Sequence, residues 1–215
     1  MSSVFIDLGI SADGYVAGPD QSPETPLGVG GEDLHRWMFA RDLPFDDSVD
    51  PETVDDPDAK VVAETFRDVG AYVMGRQMFG GGPGPWREDE PWTGWWGPNP
   101  PFHVPVFVVT HYPREPLTVE GGTTFHFVTE GPEAALEQAR EAAGDRRIRV
   151  AGGASIANQL LIAGAVDEVH LHVVPQILGG GERLFEGVTP AMLRMEIDRV
   201  LPAPTVTHVR YRVRR

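Results

Sequence analysis

Along most of its length, the chain alternates segments with the apolar pattern of β-strands and segments with the periodicity of α-helices. Strands are predicted at Val4–Ile10, Ala71–Met74, Val104–Thr110, Thr123–Val128, Ile148–Ala151 and Glu168–Val174. Helices are predicted at 31–40, from about Asp58 onward, at Pro132–Ala143 and at Ala154–Ala163. Because such alternation is typical of strand–helix–strand crossovers, it predicts an α/β fold with a mostly parallel sheet covered on both faces.

The C-terminal region departs from this alternation. Two strand-like segments, Leu193–Val200 and Val206–Val213, follow each other around Pro202 and Pro204, which predicts a terminal antiparallel hairpin. We find no internal repeat and no convincing domain boundary. The length of 215 residues therefore predicts a single domain over residues 1–215.

Composition excludes several classes of function. The chain has no cysteine, which excludes disulfides, thiolate nucleophiles, iron–sulfur clusters and cysteine-bound zinc. Its net charge of −14 argues against a duplex nucleic-acid binder, which needs Lys and Arg to displace counterions. The apolar runs fall far short of the roughly 18 residues that cross a bilayer, and the first residues do not resemble a signal peptide. We therefore expect a cytoplasmic protein without nucleic-acid or membrane partners.

The negative charge is concentrated in one segment. Residues 31–58 carry ten acidic residues against Arg36 and Arg41. A solvated loop explains such a run, and the alternative is that one of these carboxylates points into a cleft.

A Gly/Pro/Trp-rich insert at about 80–102 interrupts the regular pattern. It holds six Gly, six Pro and four of the five Trp residues. A structureless insert of this length is uncommon in a compact domain. Two interpretations remain open: the indoles serve an interface or local packing, or they form a wall over a flat aromatic ligand.

Two predicted strands end in glycine turns that open helices. Gly75 is followed by Arg76, and Gly152-Gly153 is followed by Ala154, Ser155 and Ile156. A helix start offers free N–H groups to phosphate, and glycine lets a ligand approach the backbone. Neither turn matches Gly-x-Gly-x-x-Gly, but the pair fits one extended dinucleotide.

Two further motifs follow strands. Thr110 and His111, with Arg114 nearby, could hold a ribose or a 2′-phosphate, or could be ordinary loop polarity. His170 and His172 lie on one face of a strand, but a metal site needs a third ligand and none is evident, so we predict packing and no metal.

Taken in order, five stretches resemble the dihydrofolate reductase-like superfamily, and within it the RibD C-terminal-domain branch. They are Ser11–Gly18, Val73–Phe79, Pro105–His111, Val150–Ile156 and Ile177–Phe185. The resemblance implies a three-layer dihydrofolate reductase-like fold with NADPH as reductant. It implies that Gly75, Arg76 and the residues Gly152, Gly153, Ala154, Ser155 and Ile156 flank the diphosphate. Thr110 and His111 would lie near the adenosine ribose phosphate, and the loop from Asp13 to Gly18 would border the nicotinamide.

On the substrate side, dihydrofolate reductases place an acid on the first helix and an aromatic residue one turn later. Asp33 and Trp37 have that spacing, so the resemblance implies that both bind substrate and that Asp33 is catalytic. Glu32 is a rival for this role, and Asp33 could instead cap the helix. A carboxylate here can accept two N–H bonds from an aminopyrimidine ring.

The resemblance therefore predicts an NADPH-dependent reductase of a flat heterocycle, pterin-like or pyrimidine-like, related to riboflavin biosynthesis. With no cysteine, the chain lacks the zinc-binding deaminase half of the bifunctional riboflavin enzyme, and it corresponds to a stand-alone reductase domain. A non-catalytic NADP(H)-binding or dimerisation module is the alternative. The Trp-rich insert and the Arg-rich hairpin favour a homodimer.

Overall fold

The computed structural model describes residues 2–40, 44–87, 89 and 91–214. Its strands are β1 (Val4–Ser11), β2 (Tyr15–Ala17), β3 (Val69–Gly75), β4 (Pro105–Val109), β5 (Leu117–Thr118), β6 (Thr124–Val128), β7 (Arg147–Gly152), β8 (Glu168–Val174), β9 (Glu182–Arg183), β10 (Arg194–Pro202) and β11 (Thr207–Arg214). Nine of them form one sheet in the order β10-β11-β8-β1-β7-β3-β4-β6-β5, and β2 pairs with β9.

The central six strands of the sheet, from β8 to β6, are parallel to one another. The edges are antiparallel: β11 pairs with β8 and β10 on one side, and β5 pairs with β6 on the other. The predicted parallel sheet with a C-terminal antiparallel hairpin is therefore confirmed. The short strands β2, β5 and β9 were not predicted.

The α-helices of the described residues connect the strands: α1 (Arg36–Phe39), α2 (Pro57–Phe66), α3 (Arg76–Phe79), α4 (Pro132–Ala143) and α5 (Ala154–Ile162). Short 3-10 turns lie at Gly31–His35, Pro51–Thr53 and Glu120–Gly122. Helix α2 begins where Asp56 accepts a hydrogen bond from the N–H of Ala59, at 2.9 Å, which satisfies a free donor of the first turn. The single helix predicted at 31–40 is instead a 3-10 turn followed by one turn of α-helix.

Strand β1 shows how the sheet separates two cores. Val4, Ile6 and Leu8 point to the large core beneath α4 and α5. On the opposite face, Phe5 joins a second core, and Thr65 of α2 donates a hydrogen bond to Asp7. The alternation follows from the two-residue period of a strand. It gives the predicted three layers, with α4 and α5 on one side of the sheet and α1 and α2 on the other.

The insert at 80–102 contains no helix or strand among its described residues, and it lies on the second core. Trp86, Trp92 and Trp96 are half-buried there, against aromatic residues that include Phe79 and Phe125. Of the two interpretations above, local packing is the one that these contacts support. Within the described part of the chain, no helix has the length and apolarity to cross a membrane.

Candidate functional site

The strand order brings three of the predicted ligand-binding turns to one edge. Strand β3 lies between β7 and β4, with Met74 paired to Gly152 and Gly75 paired to Val109. The carboxyl ends of parallel strands meet at the same edge of a sheet, which is where α/β folds bind ligands. Gly152, Gly75 and Thr110, which follows β4, therefore lie side by side.

The turn between β7 and α5 packs tightly against β3 but is open at Gly153. A Cβ on Gly75 would lie 3.0 Å from Cγ1 of Ile156, so glycine lets β3 approach the first turn of α5. A Cβ on Gly153, in contrast, would meet no described heavy atom within 4 Å. No side chain caps α5, and Ser155 is exposed. The first-turn amides of Ala154, Ser155 and Ile156 therefore remain available to an anion.

Arg76 is held by the insert rather than extended into solvent. Its Nε donates to the carbonyl of Gly80 at 3.0 Å, and its Nη2 donates to those of Gly81 and Gly82 at 3.2 and 3.1 Å. Nη1 is buried and has no partner among the described residues. Burial, and then the charge of Arg114, lower the pKa of Arg76 to about 10.

Arg114 resembles Arg76 in its surroundings. It donates to the carbonyl of Trp92 at 2.7 Å, and its guanidinium lies 4.9 Å from the centroid of Trp86. Burial lowers the pKa of Arg114 as well. Neither arginine forms an ion pair with a described carboxylate, although the chain has a net charge of −14. The edge beside β3 and β4 thus carries two partly buried positive charges that lack a described counter-ion.

The first two residues of the loop after β4, Thr110 and His111, differ in their exposure to solvent. Thr110 is buried, and its hydroxyl accepts a hydrogen bond from the N–H of Tyr112 at 3.2 Å. His111 is exposed. The insert braces this loop, because the indole N–H of Trp86 donates to the carbonyl of Tyr112 at 2.9 Å. Thr110 therefore shapes the turn from within, and His111 is free to meet a ligand.

The loop at Asp13–Gly18 is tied to the glycine-rich segment after β8. Asp13 accepts hydrogen bonds from the N–H groups of Leu178 and Gly179, at 3.1 and 2.7 Å, and from the Ser11 hydroxyl at 2.6 Å. The Ser11 bond is the strongest of the influences that lower the pKa of Asp13 to about 2. The pairing of β2 with β9 reinforces this link.

The predicted substrate residues take two different positions. Asp33 is about one-third exposed and forms an ion pair with Arg36 at 2.7 Å. Trp37 is only 4% exposed, and its indole N–H donates to the carbonyl of Leu34 at 3.1 Å. The indole is therefore a core residue that supports the helix, and its contact with substrate stays a prediction.

Sequence reasoning missed a buried polar cluster beneath α2. Arg149 donates to Asp7 at 2.8 Å, and the Thr65 hydroxyl and His172 Nε2 approach the other carboxylate oxygen, at 3.0 and 3.3 Å. Burial alone would raise the pKa of Asp7, but Arg149 and the histidines outweigh it and hold that pKa well below its usual range. An acid in the middle of an otherwise apolar strand was the signal in the sequence.

His170 and His172 belong to this cluster. His170 Nε2 lies 2.8 Å from Glu168, and its other nitrogen lies 3.7 Å from Asp7. Burial would lower the pKa of His170, but these two carboxylates raise it overall. The described residues contain no group of three or more side chains placed to hold a metal ion.

A family model described as the RibD C-terminal domain matches residues 2–209. No curated protein sequence matches the chain.

Several solved structures share the fold. A Shewanella sp. PV-4 protein assigned to riboflavin biosynthesis matches with a TM-score of 0.59 and 21% identity, and the match covers 100% of both chains. RibD from Acinetobacter baumannii matches with a TM-score of 0.55 and 16% identity over 100% of this chain and 59% of that one. Dihydrofolate reductase from Enterococcus faecalis, complexed with NADP(H), matches with a TM-score of 0.50 and 13% identity over 99% and 97%. The fold is therefore dihydrofolate reductase-like.

Proposed function

The chain is a reductase of the RibD C-terminal domain family, and we propose that it uses NADPH to reduce a flat heterocycle. The heterocycle is either pterin-like or similar to a 5-amino-6-ribosylamino-pyrimidinone. When bound, NADPH supplies the hydride, and the protein supplies binding, orientation and a proton.

The observation that carries this proposal is the pair of guanidinium groups beside the glycine turns that form no ion pair with a described carboxylate. Arg76 and Arg114 are partly buried, and neither is paired with a described carboxylate. Burying a charge is costly unless an opposite charge accompanies it. An anionic ligand at this edge would provide that charge, and the open space at Gly153 leaves room for it.

The residues of the different turns would each bind a different part of the cofactor. Gly75, Arg76 and the turn from Gly152 to Ile156 would hold the diphosphate, and Thr110 and His111 would lie near the adenosine ribose phosphate. The loop at Asp13–Gly18 would border the nicotinamide. These assignments agree with the adjacency of β7, β3 and β4.

Asp33 is the proposed catalytic and substrate-binding acid. Its carboxylate is accessible, and one of its oxygens contacts Arg36. The same carboxylate can accept N–H bonds from an aminopyrimidine ring and can organise the proton that accompanies hydride transfer.

The named relatives support this substrate class. A further solved structure that shares the fold, from Thermotoga maritima, is a diaminohydroxyphosphoribosylaminopyrimidine deaminase and 5-amino-6-(5-phosphoribosylamino)uracil reductase, of which this chain covers 56% at a TM-score of 0.52 and 14% identity. A role in riboflavin biosynthesis is therefore part of the proposal, with the reductase step as the activity expected of this chain.

The first test is the melting temperature of the protein with NADPH. A ligand that binds only the native state must raise it, so NADPH at hundreds of micromolar should give a clear increase. NADH, which lacks the 2′-phosphate, should give a smaller one. An unchanged melting temperature with NADPH would defeat the proposal.

The second test addresses Asp33. We expect Asp33→Asn to bind NADPH normally but to lose about two orders of magnitude in kcat, the usual contribution of a positioned acid or base. Glu32→Gln is the matched control, because Glu32 is its exposed neighbour, and it should retain wild-type activity. A wild-type rate in Asp33→Asn would show that the assignment is wrong.

Membership of a reductase family argues against the alternative of a non-catalytic NADP(H)-binding or dimerisation module.

We also propose that the protein is a cytoplasmic homodimer. Strand β10 is an edge strand, and Ile197 on it is 69% exposed, which is unfavourable for a free edge. The half-buried indoles of the insert make that segment a weaker candidate for the interface. Sedimentation at several concentrations, with Ile197→Lys as the variant, tests the assembly.

A further inference from the structure

Two buried histidines lie at the centre of a chain of hydrogen-bonding groups. His172 and His208 are 2% and 4% exposed, and their Nδ1 atoms lie 2.9 Å apart. His172 Nε2 lies 3.3 Å from Asp7 Oδ2, and His208 Nε2 lies 3.0 Å from Asp58 Oδ1. This series of hydrogen-bonding groups therefore connects β1, β8, β11 and the start of α2.

The geometry restricts how many hydrogens the two rings carry. Two ring nitrogens 2.9 Å apart form a hydrogen bond only when one hydrogen lies between them. Each Nε2 faces a carboxylate, which accepts a hydrogen and does not donate one when ionised. Arg149 keeps Asp7 ionised, and Asp58 lies in the first turn of α2, where a negative charge is stabilised. Three of the four ring nitrogens then carry hydrogen, so the pair holds one positive charge.

The pair also contacts the segment that carries the candidate acid. The ring of Trp37 lies 4.6 Å from that of His172 and 4.8 Å from that of His208. Trp37 belongs to α1, which directly follows the 3-10 turn containing Asp33. The segment that contains Asp33 and Trp37 therefore packs on the two imidazole rings.

We propose that His172 and His208 are positioning residues for the substrate half of the site. The two rings share one hydrogen between their Nδ1 atoms. This hydrogen bond holds the rings together, and the rings hold Trp37 and, through it, the segment that contains Asp33 in position. The link to substrate rests on the function proposed above, whereas the shared hydrogen does not.

A second proton would open the pair. It would place a hydrogen on both Nδ1 atoms, and two donors cannot remain 2.9 Å apart. Burial, and then the charge on His172, lower the pKa of His208, which agrees with resistance to that second proton. A cavity of about 20 Å³, enough for one water, is lined by both histidines.

Charged and titratable groups from each packed element surround the pair. Beyond Asp7, Asp58 and Arg149, they are Glu64 of α2, Glu168 and His170 of β8, Arg199 of β10, Arg210 of β11 and His35 of the 3-10 turn. Arg199 is paired with Glu64 and Arg210 with Asp198, which limits their influence on the rings. The two carboxylates in direct contact with the rings therefore dominate the charge of the pair.

The direct test is a long-range ¹H–¹⁵N correlation spectrum of protein labelled with ¹⁵N-histidine, without ligands, at neutral pH. We expect both Nε2 atoms of the pair to be protonated and the two Nδ1 shifts to be intermediate, as for one shared hydrogen. Two neutral rings, each with a single protonated nitrogen, would overturn the inference whether or not the enzyme is active.

The positioning role is tested by His208→Gln, with His126→Gln as the control. His126 stacks on Phe107 at the far side of the sheet. We expect His208→Gln to raise KM for the heterocycle about tenfold, with the Kd of NADPH changed less than about twofold. The wild-type KM should rise as the pH falls into the range where the pair takes up a second proton, which lies below the ordinary pKa of histidine, and that of His208→Gln should not. An unchanged KM in His208→Gln, or an equal rise in His126→Gln, would contradict positioning; absence of any NADPH oxidation would instead defeat the proposed function.

Discussion

The guanidinium carbon of Arg76 lies 3.1 Å from the centroid of the Trp86 indole ring. This contact joins the turn after β3 to the Gly/Pro/Trp-rich insert. Trp86 also donates to the carbonyl of Tyr112, in the loop after β4. A single indole therefore connects two of the turns proposed to hold the cofactor, which gives the insert a supporting role beside the site.

Removing that indole should weaken both the fold and the site. We expect Trp86→Ala to lower the free energy of unfolding by about 2 kcal/mol, less than a fully buried Trp would cost, because the side chain is half-buried. The affinity for NADPH should fall about tenfold, because Arg76 loses its cation–π contact. Urea unfolding and calorimetric titration measure the two effects.

Trp95→Ala is the control for this prediction, since Trp95 is the exposed indole of the insert and contacts Trp92 rather than Arg76. It should leave NADPH binding unchanged. Equal losses of affinity in the two variants would show that the insert acts as a whole and not through Trp86.

Because a side chain at position 153 would meet open space, two substitutions of Gly153 can distinguish the effect of an added charge from the effect of added size. Gly153→Asp should fold as well as wild type, because its new side chain meets no neighbour at Cβ and a carboxylate suits a helix start. It should nevertheless weaken NADPH binding at least tenfold, roughly what one unfavourable charge contact costs. Gly153→Asn has nearly the same shape without the charge and should lose much less affinity. Similar Kd values for the two variants would argue against a diphosphate at this turn.

Much of the fold could be predicted because its signals are local. Helix α4 and strand β8 occupy the predicted residues. Pro132 starts α4, and Gly144 ends it with a positive φ of 61°. The two-residue strand β9 carries no comparable periodicity, since its structure depends on pairing with Tyr15 and Ala17, far away in sequence.

The candidate site divides in the same way. Gly75 and Gly152 could be identified because a glycine that ends a strand and opens a helix is a local pattern. The contact between Asp7 and Arg149 joins residues 142 positions apart, and no local pattern announces it. The burial of Trp37 likewise depends on His172 and His208, which only the folded sheet brings beneath it.

The buried pair of Asp7 and Arg149 should be far more important for stability than an exposed one. We expect Asp7→Asn to lower the free energy of unfolding by about 3 kcal/mol, because it leaves a buried guanidinium without its counter-ion. Glu52→Gln, which removes the exposed ion pair with Lys60, should cost less than about 1 kcal/mol. Urea unfolding at neutral pH compares the two, and similar losses would show that Asp7 is not a buried charge in solution.

The last prediction concerns pH and the loop held by Asp13. The hydrogen bond from Ser11, followed by those from Gly179 and Leu178, lowers the pKa of Asp13 to about 2 in the folded protein. Its unfolded value is about 3.9. A carboxyl group with a lowered folded pKa contributes stability above its unfolded pKa and loses that contribution as the pH falls through its folded pKa. The stability difference between wild type and Asp13→Asn should therefore be constant above about pH 5 and shrink between about pH 4 and 2. Thermal unfolding of both proteins across this range measures it.

Asp20→Asn is the control, since Asp20 is exposed near the same loop and its side chain has no hydrogen bond there among the described residues. A difference that stays constant down to pH 2 would show that Asp13 does not hold the loop as a carboxylate.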